Sequence, residues 1–134
     1  MAGSWRNKEE GRTMSYIKKI EGDTIVIYEG DQKDFWIQET VGETYMKAFL
    51  GGRLKSVYVH DFSDEMLAFV SIGMNLILDF SAVSYMSFSF MRALLSIQQE
   101  IEKKDAELKL IRLPEHIYGE FEKTGFSELL DLGV

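Results

Sequence analysis

Short runs of apolar and β-branched residues alternate with glycine-bearing turns through the first part of the chain. These runs cover residues 16–20, 24–28, 34–40 and 44–50. Each run has the length of a strand, and a glycine stands in every segment that connects two of them. Turns of this kind join neighbouring antiparallel strands. The pattern therefore predicts a meander of four antiparallel strands.

The spacing of apolar residues then changes to steps of three and four. The residues that carry this spacing are Phe62, Met66, Phe69 and Val70. Such a spacing places one apolar stripe along a helix. Asp61 or Ser63 is expected to cap the helix, because a side-chain oxygen can accept a free first-turn N–H. Gly73 is expected to end it.

A strand, a helix and a second strand are predicted next. Residues 75–80 and 108–113 form continuous apolar runs, typical of strands buried on both faces. Residues 88–104 carry an amphipathic pattern between them, and such a parallel unit is right-handed in nearly all proteins. Pro114 as N1 and Gly125 just past the last turn bracket a third helix. The sequence thus predicts an α/β domain, with a mixed sheet and helices packed on it.

Length, charge and cysteine content narrow the class of function. A chain of 134 residues fits one domain, and residues 1–14 are interpreted as a disordered arm or a cloning remnant. The net charge of −7 argues against nucleic-acid binding, because phosphate backbones repel an acidic surface. The absence of cysteine excludes disulfides and thiolate zinc sites. No metal and no cofactor are predicted.

No segment of the sequence has the pattern of a membrane span. The most apolar stretch, residues 68–80, is interrupted by serine, glycine, asparagine and aspartate. It falls short of the roughly 20 apolar residues that a spanning helix needs. The sequence also shows no signal-peptide pattern at its start. A cytoplasmic location is therefore expected.

Four serines lie in the segment 81–89, which the pattern places as a loop between a strand and a helix. They are Ser81, Ser84, Ser87 and Ser89. Ligands bind at the carboxyl ends of strands in open α/β sheets, and helix N-termini favour anions. Ser87 is predicted as the helix N-cap, while Ser81 and Ser84 are predicted as loop residues that bond their own backbone.

Two phenylalanines, Phe88 and Phe90, stand at the start of the same helix, with Arg92 in its next turn. A phenyl ring that is exposed beside a helix start would mark a contact with another protein. The sequence alone leaves open which of the two rings points outward.

The titratable residues do not form a recognisable catalytic set. Asp79 ends an apolar strand and is expected either to be exposed or to accept hydrogen bonds from loop N–H groups. His60 and His116 have no carboxylate or serine at a telling spacing. A catalytic site needs a nucleophile, a base and an orienting group in register. The chain is therefore predicted not to be an enzyme.

Five stretches, taken in order, carry a resemblance to a known family. They are TYMKAFLGGRL, LILDFSAVSYM, MRALLSIQQEIEKKDAEL, LKLIRL and EHIYGEFEKTGFSELL. From about Glu43 to the end, over about two-thirds of the chain, the sequence resembles the STAS domain. This is the fold of bacterial anti-sigma-factor antagonists and of the cytoplasmic part of sulfate transporters. The resemblance implies one STAS-like domain over 15–134, with a core at 43–134 and extra N-terminal strands at 15–42.

The resemblance also implies a partner and a switch. Members bind a regulator, often a GHKL-type kinase that is also an anti-sigma factor, and the kinase phosphorylates a serine or threonine before the second helix. The family's loop reads Asp-Ser-Ser/Thr-Gly, and the matching residues here are Ser87, Phe88, Ser89 and Phe90. Phe88 stands at the phosphorylated position, and it has no hydroxyl group.

Two interpretations follow within the family. Either Ser87 or Ser89 serves as a shifted phosphosite, or the switch is lost and the domain binds constitutively; we favour the second. The predicted contact set is Ser84, Ser87, Phe88, Ser89, Phe90 and Arg92. We therefore expect a bacterial, cytoplasmic regulatory module that binds an anti-sigma-type protein, with homodimerisation left open. The alternative is a small-ligand or nucleotide-binding domain, or a scaffold subunit of a larger complex.

Overall fold

The computed structural model describes residues 4–5, 16–21, 25–30 and 34–133, with side chains described within residues 34–132. The predicted arm at 1–14 lies outside the described residues, apart from Ser4–Trp5, which forms a short strand. The loop predicted between the first two strands also lies outside them. The division into added strands at 15–42 and a core at 43–134 stays a prediction.

One mixed sheet of eight strands runs through the described residues, and its strands lie side by side in chain order. The strands are β1 Ser4–Trp5, β2 Tyr16–Glu21, β3 Ile25–Gly30, β4 Phe35–Val41, β5 Tyr45–Leu54, β6 Asn75–Met86, β7 Leu108–Ile111 and β8 Leu132–Gly133. Strands β1 to β5 pair antiparallel, and β5 to β8 pair parallel. The predicted α/β fold with antiparallel N-terminal strands is confirmed.

Three α-helices connect the parallel strands. They are α1 Val59–Ser71, α2 Phe88–Glu102 and α3 Glu115–Thr124. The predicted third helix is confirmed, and the positive φ angles of Gly73 and Gly125 confirm both predicted helix ends. No helix in the described part of the chain combines the length and the apolar character needed to cross a membrane.

Two predicted helix starts were wrong in detail. Helix α1 begins before Asp61 and Ser63, because a short 3₁₀ turn at Ser56–Tyr58 leads directly into it and Tyr58 takes the N-cap position. Asp61 instead lies in the first turn, where its negative charge complements the helix dipole. Pro114 is the N-cap of α3 rather than its first residue.

The core lies between the helices and one face of the sheet. Side chains of β4, β5 and β6 that point to this face, such as Ile37, Leu50 and Leu78, are fully buried. They belong to one cluster with apolar residues of all three helices. Because successive residues of a strand point to opposite faces, Gln38, Phe49 and Asp79 lie on the other face.

Strand β6 is longer than predicted, and this overturns the predicted loop at 81–89. The strand continues to Met86 because β5 also continues and pairs with it, as in the pairs Gly51 with Ala82 and Arg53 with Tyr85. Register shifts in this pairing absorb the extra residues. Ser81 and Ser84 are therefore strand residues, and only Ser87 separates the strand from α2.

Candidate functional site

The start of α2 is fixed by Ser87 through hydrogen bonds of both its backbone and its side chain. Its backbone N–H donates to the carbonyl of Leu54 at 2.9 Å. Its Oγ accepts from the backbone N–H of Phe90 at 3.2 Å, which confirms the predicted N-cap. The same Oγ lies 3.2 Å from Oγ of Ser89. Both hydroxyls thus take part in one local network at the helix start.

Phe88, the first residue of α2, points outward and is 54% exposed. Its ring stacks on the ring of Phe126, with centroids 5.8 Å apart and planes 24° apart. Leu129, one turn beyond Phe126, is also strongly exposed. We call these three residues the Phe88 patch. An exposed apolar cluster at a helix start is typical of a surface that contacts another protein.

Phe90 points the opposite way and is fully buried. Its ring packs against Phe62 at 4.5 Å and against Phe35 at 6.5 Å between centroids. Phe90 therefore supports the helix start from beneath and presents no surface of its own. The two phenylalanines, which the sequence left open, divide into one outward and one inward ring.

The remaining predicted contact residues lie near the end of β6 and in the first turns of α2. Arg92 is exposed one turn after Phe88 on α2. Ser84 is exposed near the end of β6, and its Oγ donates to the carbonyl of Gly52 at 3.3 Å. Its own carbonyl accepts from Nε2 of His116 at 3.0 Å, which ties the start of α3 to β6. The predicted residues thus lie around one end of the fold.

Sequence reasoning missed an ion pair on the other face of the sheet. The carboxylate of Asp79 is almost completely buried and accepts hydrogen bonds from Nη1 of Arg112 at 3.0 Å and from the N–H of Ser81 at 2.9 Å. Of the two expected environments for Asp79, the structure has the paired one. Burial raises the pKa of the Asp79 carboxyl, but the hydrogen bonds from Ser81 and Arg112 outweigh it and hold the pKa below its ordinary value.

Replacing Asp79 with asparagine is expected to lower the free energy of unfolding by about 1–2 kcal/mol at neutral pH, because Arg112 loses its charged partner. A lowered pKa in the folded state stabilises the protein above the ordinary value of 3.8, and this stabilisation is lost as pH falls through the folded-state pKa. The difference between parent and Asp79→Asn should therefore shrink below that pH. Urea denaturation across the acid range measures it.

The exposed Asp131 provides the control for this experiment. Asp131→Asn removes the same charge without removing an ion pair among the described residues. We expect its stability to follow the parent at every pH. A gap between the parent and Asp79→Asn that persists unchanged in acid would contradict the assignment of the stabilisation to the ionised carboxylate.

Comparison with known proteins identifies this arrangement of elements. A sequence model of the STAS domain matches residues 37–133. No curated protein matches the sequence. Several solved structures, in contrast, share the fold.

The anti-sigma factor antagonist SpoIIAA of Bacillus is similar in its unphosphorylated form, with 18% identity and a TM-score of 0.64 over 73% of this chain and 88% of its own. Its phosphorylated form is 18% identical in sequence, with a TM-score of 0.59 over 73% of this chain and 91% of its own. An anti-sigma factor antagonist from Mycobacterium paratuberculosis is 14% identical, with a TM-score of 0.65 over 74% of this chain and 85% of its own. The murine anion transporter Slc26a9 is 16% identical, with a TM-score of 0.57 over 90% of this chain and 20% of its own. At these identities the likeness establishes the fold.

Proposed function

Because this chain belongs to the STAS domain family, we propose that it is a non-enzymatic regulatory module that binds a partner protein. The partner is an anti-sigma-type regulator of the GHKL kinase class, bound by the Phe88 patch and the adjoining residues. Those adjoining residues are Ser84, Ser87, Ser89 and Arg92, with Phe90 as the buried support. The proposed setting is the bacterial cytoplasm, and no cofactor takes part.

The observation that carries this proposal is the exposure of Phe88. Its ring is more than half exposed although it stands at the first residue of a helix beside a large core. The stack on Phe126 holds one face of the ring, which reduces the side-chain freedom that binding has to remove. Aromatic anchors of this kind contribute a large share of the affinity of protein interfaces. Antagonists with this fold include SpoIIAA and the mycobacterial protein.

We further propose that binding here is constitutive. SpoIIAA exists in phosphorylated and unphosphorylated forms. At the corresponding position this chain has Phe88, which has no hydroxyl to accept a phosphoryl group. The Oγ of Ser87 accepts the Phe90 N–H and lies beside Oγ of Ser89. Phosphorylation of Ser87 would disturb the cap, so we favour a domain without the switch over one with a shifted phosphosite.

The interface is tested by titrating the chain with each GHKL-type anti-sigma kinase encoded in the same genome, using calorimetry. We expect one of them to bind, and Phe88→Ala to weaken that binding by about 30-fold, the loss typical of an aromatic anchor. Ser87→Asp should also weaken it, because it adds a charge beside the apolar patch. Ile72→Ala is the matched control, since Ile72 is a strongly exposed apolar residue at the far end of α1.

Three results would each contradict the proposal in a different way. Equal binding by the parent, Phe88→Ala and Ser87→Asp would show that the Phe88 patch is not the interface. A phosphate found by mass spectrometry on Ser87 or Ser89, after incubation with the bound kinase and ATP, would contradict constitutive binding and favour the shifted phosphosite. If no kinase binds and nucleotides raise the melting temperature, the ligand-binding alternative replaces the proposal.

A further inference from the structure

A polar cleft of about 370 Å³ lies on the sheet face that points away from the helices. Two rows of paired residues form its floor. One row runs from Gln38 through Phe49 to Asp79, and the next contains Thr40 and Lys47. Arg112, which follows directly after β7, closes one side. The cleft is thus framed by strands of the central sheet, which are the most rigid elements of such a domain.

The charged side chains that line this cleft sum to a positive charge, whereas the whole chain is negative. Two cations, Lys47 and Arg112, line the cleft with one anion, Asp79. Arg112 neutralises the buried Asp79. Lys47 forms no ion pair among residues 34–132, so one positive charge is left over in a protein whose net charge is −7. An anion that binds in the cleft therefore meets one cation that has no ion-pair partner among the described side chains.

The backbone of Arg112 is held in an uncommon conformation. Its φ angle of 56° lies in the left-handed region, which side chains other than glycine rarely adopt. In this conformation its guanidinium reaches back to Asp79, on the neighbouring strand. The hydrogen bond to Asp79 uses one of its five N–H donors, and the side chain is 66% exposed. Arg112 is thus held to the cleft by one hydrogen bond, and its other N–H donors make no further hydrogen bond to Asp79, so they are available to a bound anion.

We propose that this cleft binds a small oxyanion of the phosphate or carboxylate class between Lys47 and Arg112. Guanidinium and ammonium groups are the usual partners of such anions. The hydroxyls of Thr40 and Ser81 supply neutral donors at the same surface. Arg112 enters the site from the position that directly follows β7, while Lys47 and Asp79 enter it from within β5 and β6. The site is separate from the Phe88 patch and does not depend on it.

Titration with inorganic phosphate, followed by amide shifts in NMR spectra at constant ionic strength, tests the site. We expect saturable shifts at Phe49, Asp79 and Ser81. Lys47→Gln should weaken this binding about tenfold, the loss expected for one charge-assisted contact. Since Lys47 makes no ion pair within residues 34–132, this variant is expected to fold as the parent does. Arg112→Gln should weaken the binding as well.

The control variant is Lys104→Gln, which removes the same charge from an exposed position on the helical side. It should bind phosphate as the parent does. Adenosine monophosphate in a parallel titration distinguishes a free anion from an anionic group on a larger molecule: tighter binding than phosphate at the same amides favours the latter. Absence of saturable shifts in the cleft with either probe, shifts confined to the start of α2, or equal weakening by Lys104→Gln would overturn the proposal.

Discussion

Replacing Phe90 with alanine is expected to lower the free energy of unfolding by about 3–5 kcal/mol. The ring is fully buried and packs against Phe62 and Phe35, so its removal opens a cavity between α1, α2 and β4. Phe88→Ala should change the same quantity by less than about 1 kcal/mol, because that ring is more than half exposed. Two phenylalanines separated by one residue should therefore differ widely in how much their replacement lowers the free energy of unfolding.

Chemical denaturation of the two variants measures this difference directly. Circular dichroism at low denaturant should show that both variants fold, so that the loss in Phe90→Ala appears as a lower midpoint with a similar slope. Phe90→Leu is a useful third variant, because it refills part of the cavity and should recover part of the loss. Equal destabilisation by Phe88→Ala and Phe90→Ala would contradict the inward and outward assignment of the rings.

Local sequence signals predicted much of this fold. Alternation and glycine turns located the strands from Tyr16 to Leu50. The spacing of apolar residues located the first two helices, and Pro114 and Gly125 located the third. The N-cap at Ser87 followed from one residue type at one position. The parallel unit of β6, α2 and β7 followed from the general rule for crossovers. Each of these features depends on residues close together in the chain.

Features that depend on distant residues were not predicted. The extension of β6 beyond Phe80 is determined by the length of its partner β5, and its serines alone suggested a loop. The ion pair of Asp79 with Arg112 joins residues 33 positions apart. The stack of Phe88 on Phe126 joins two helical segments whose relative position follows only from the packed core. The residues of the candidate site could thus be chosen from the sequence, but their contacts with one another could be found only from the folded structure.

The close contact between β4 and β5 leads to the second large effect, at Gly52. This residue has a φ angle of 84°, and a Cβ at its position would overlap the backbone carbonyl oxygen of Asp34. The overlap is with main chain that is itself held by a hydrogen bond from the N–H of Arg53 at 2.8 Å. Gly52→Ala is therefore expected to lower the free energy of unfolding by about 3 kcal/mol or more.

Two other glycines separate the causes of this loss. Gly73 has a similar φ angle of 79°, but a Cβ there would meet nothing within 4 Å. Gly73→Ala thus measures conformational strain alone, about 1–2 kcal/mol. Gly51 is not in the left-handed region, but a Cβ there would overlap the ring of Trp36. Gly51→Ala measures overlap with a side chain that can shift within the sheet.

The three variants should therefore rank in stability with Gly73→Ala nearest to the parent and Gly52→Ala furthest from it. Thermal and urea denaturation give the ranking, and the folded spectrum of each variant checks that the sheet is retained. Equal losses at Gly52 and Gly73 would mean that the Asp34 carbonyl moves aside freely. That result would contradict a rigid pairing of β4 with β5, on which both the support for Phe90 and the floor of the oxyanion cleft depend, because Phe35 and Phe49 lie on these two strands.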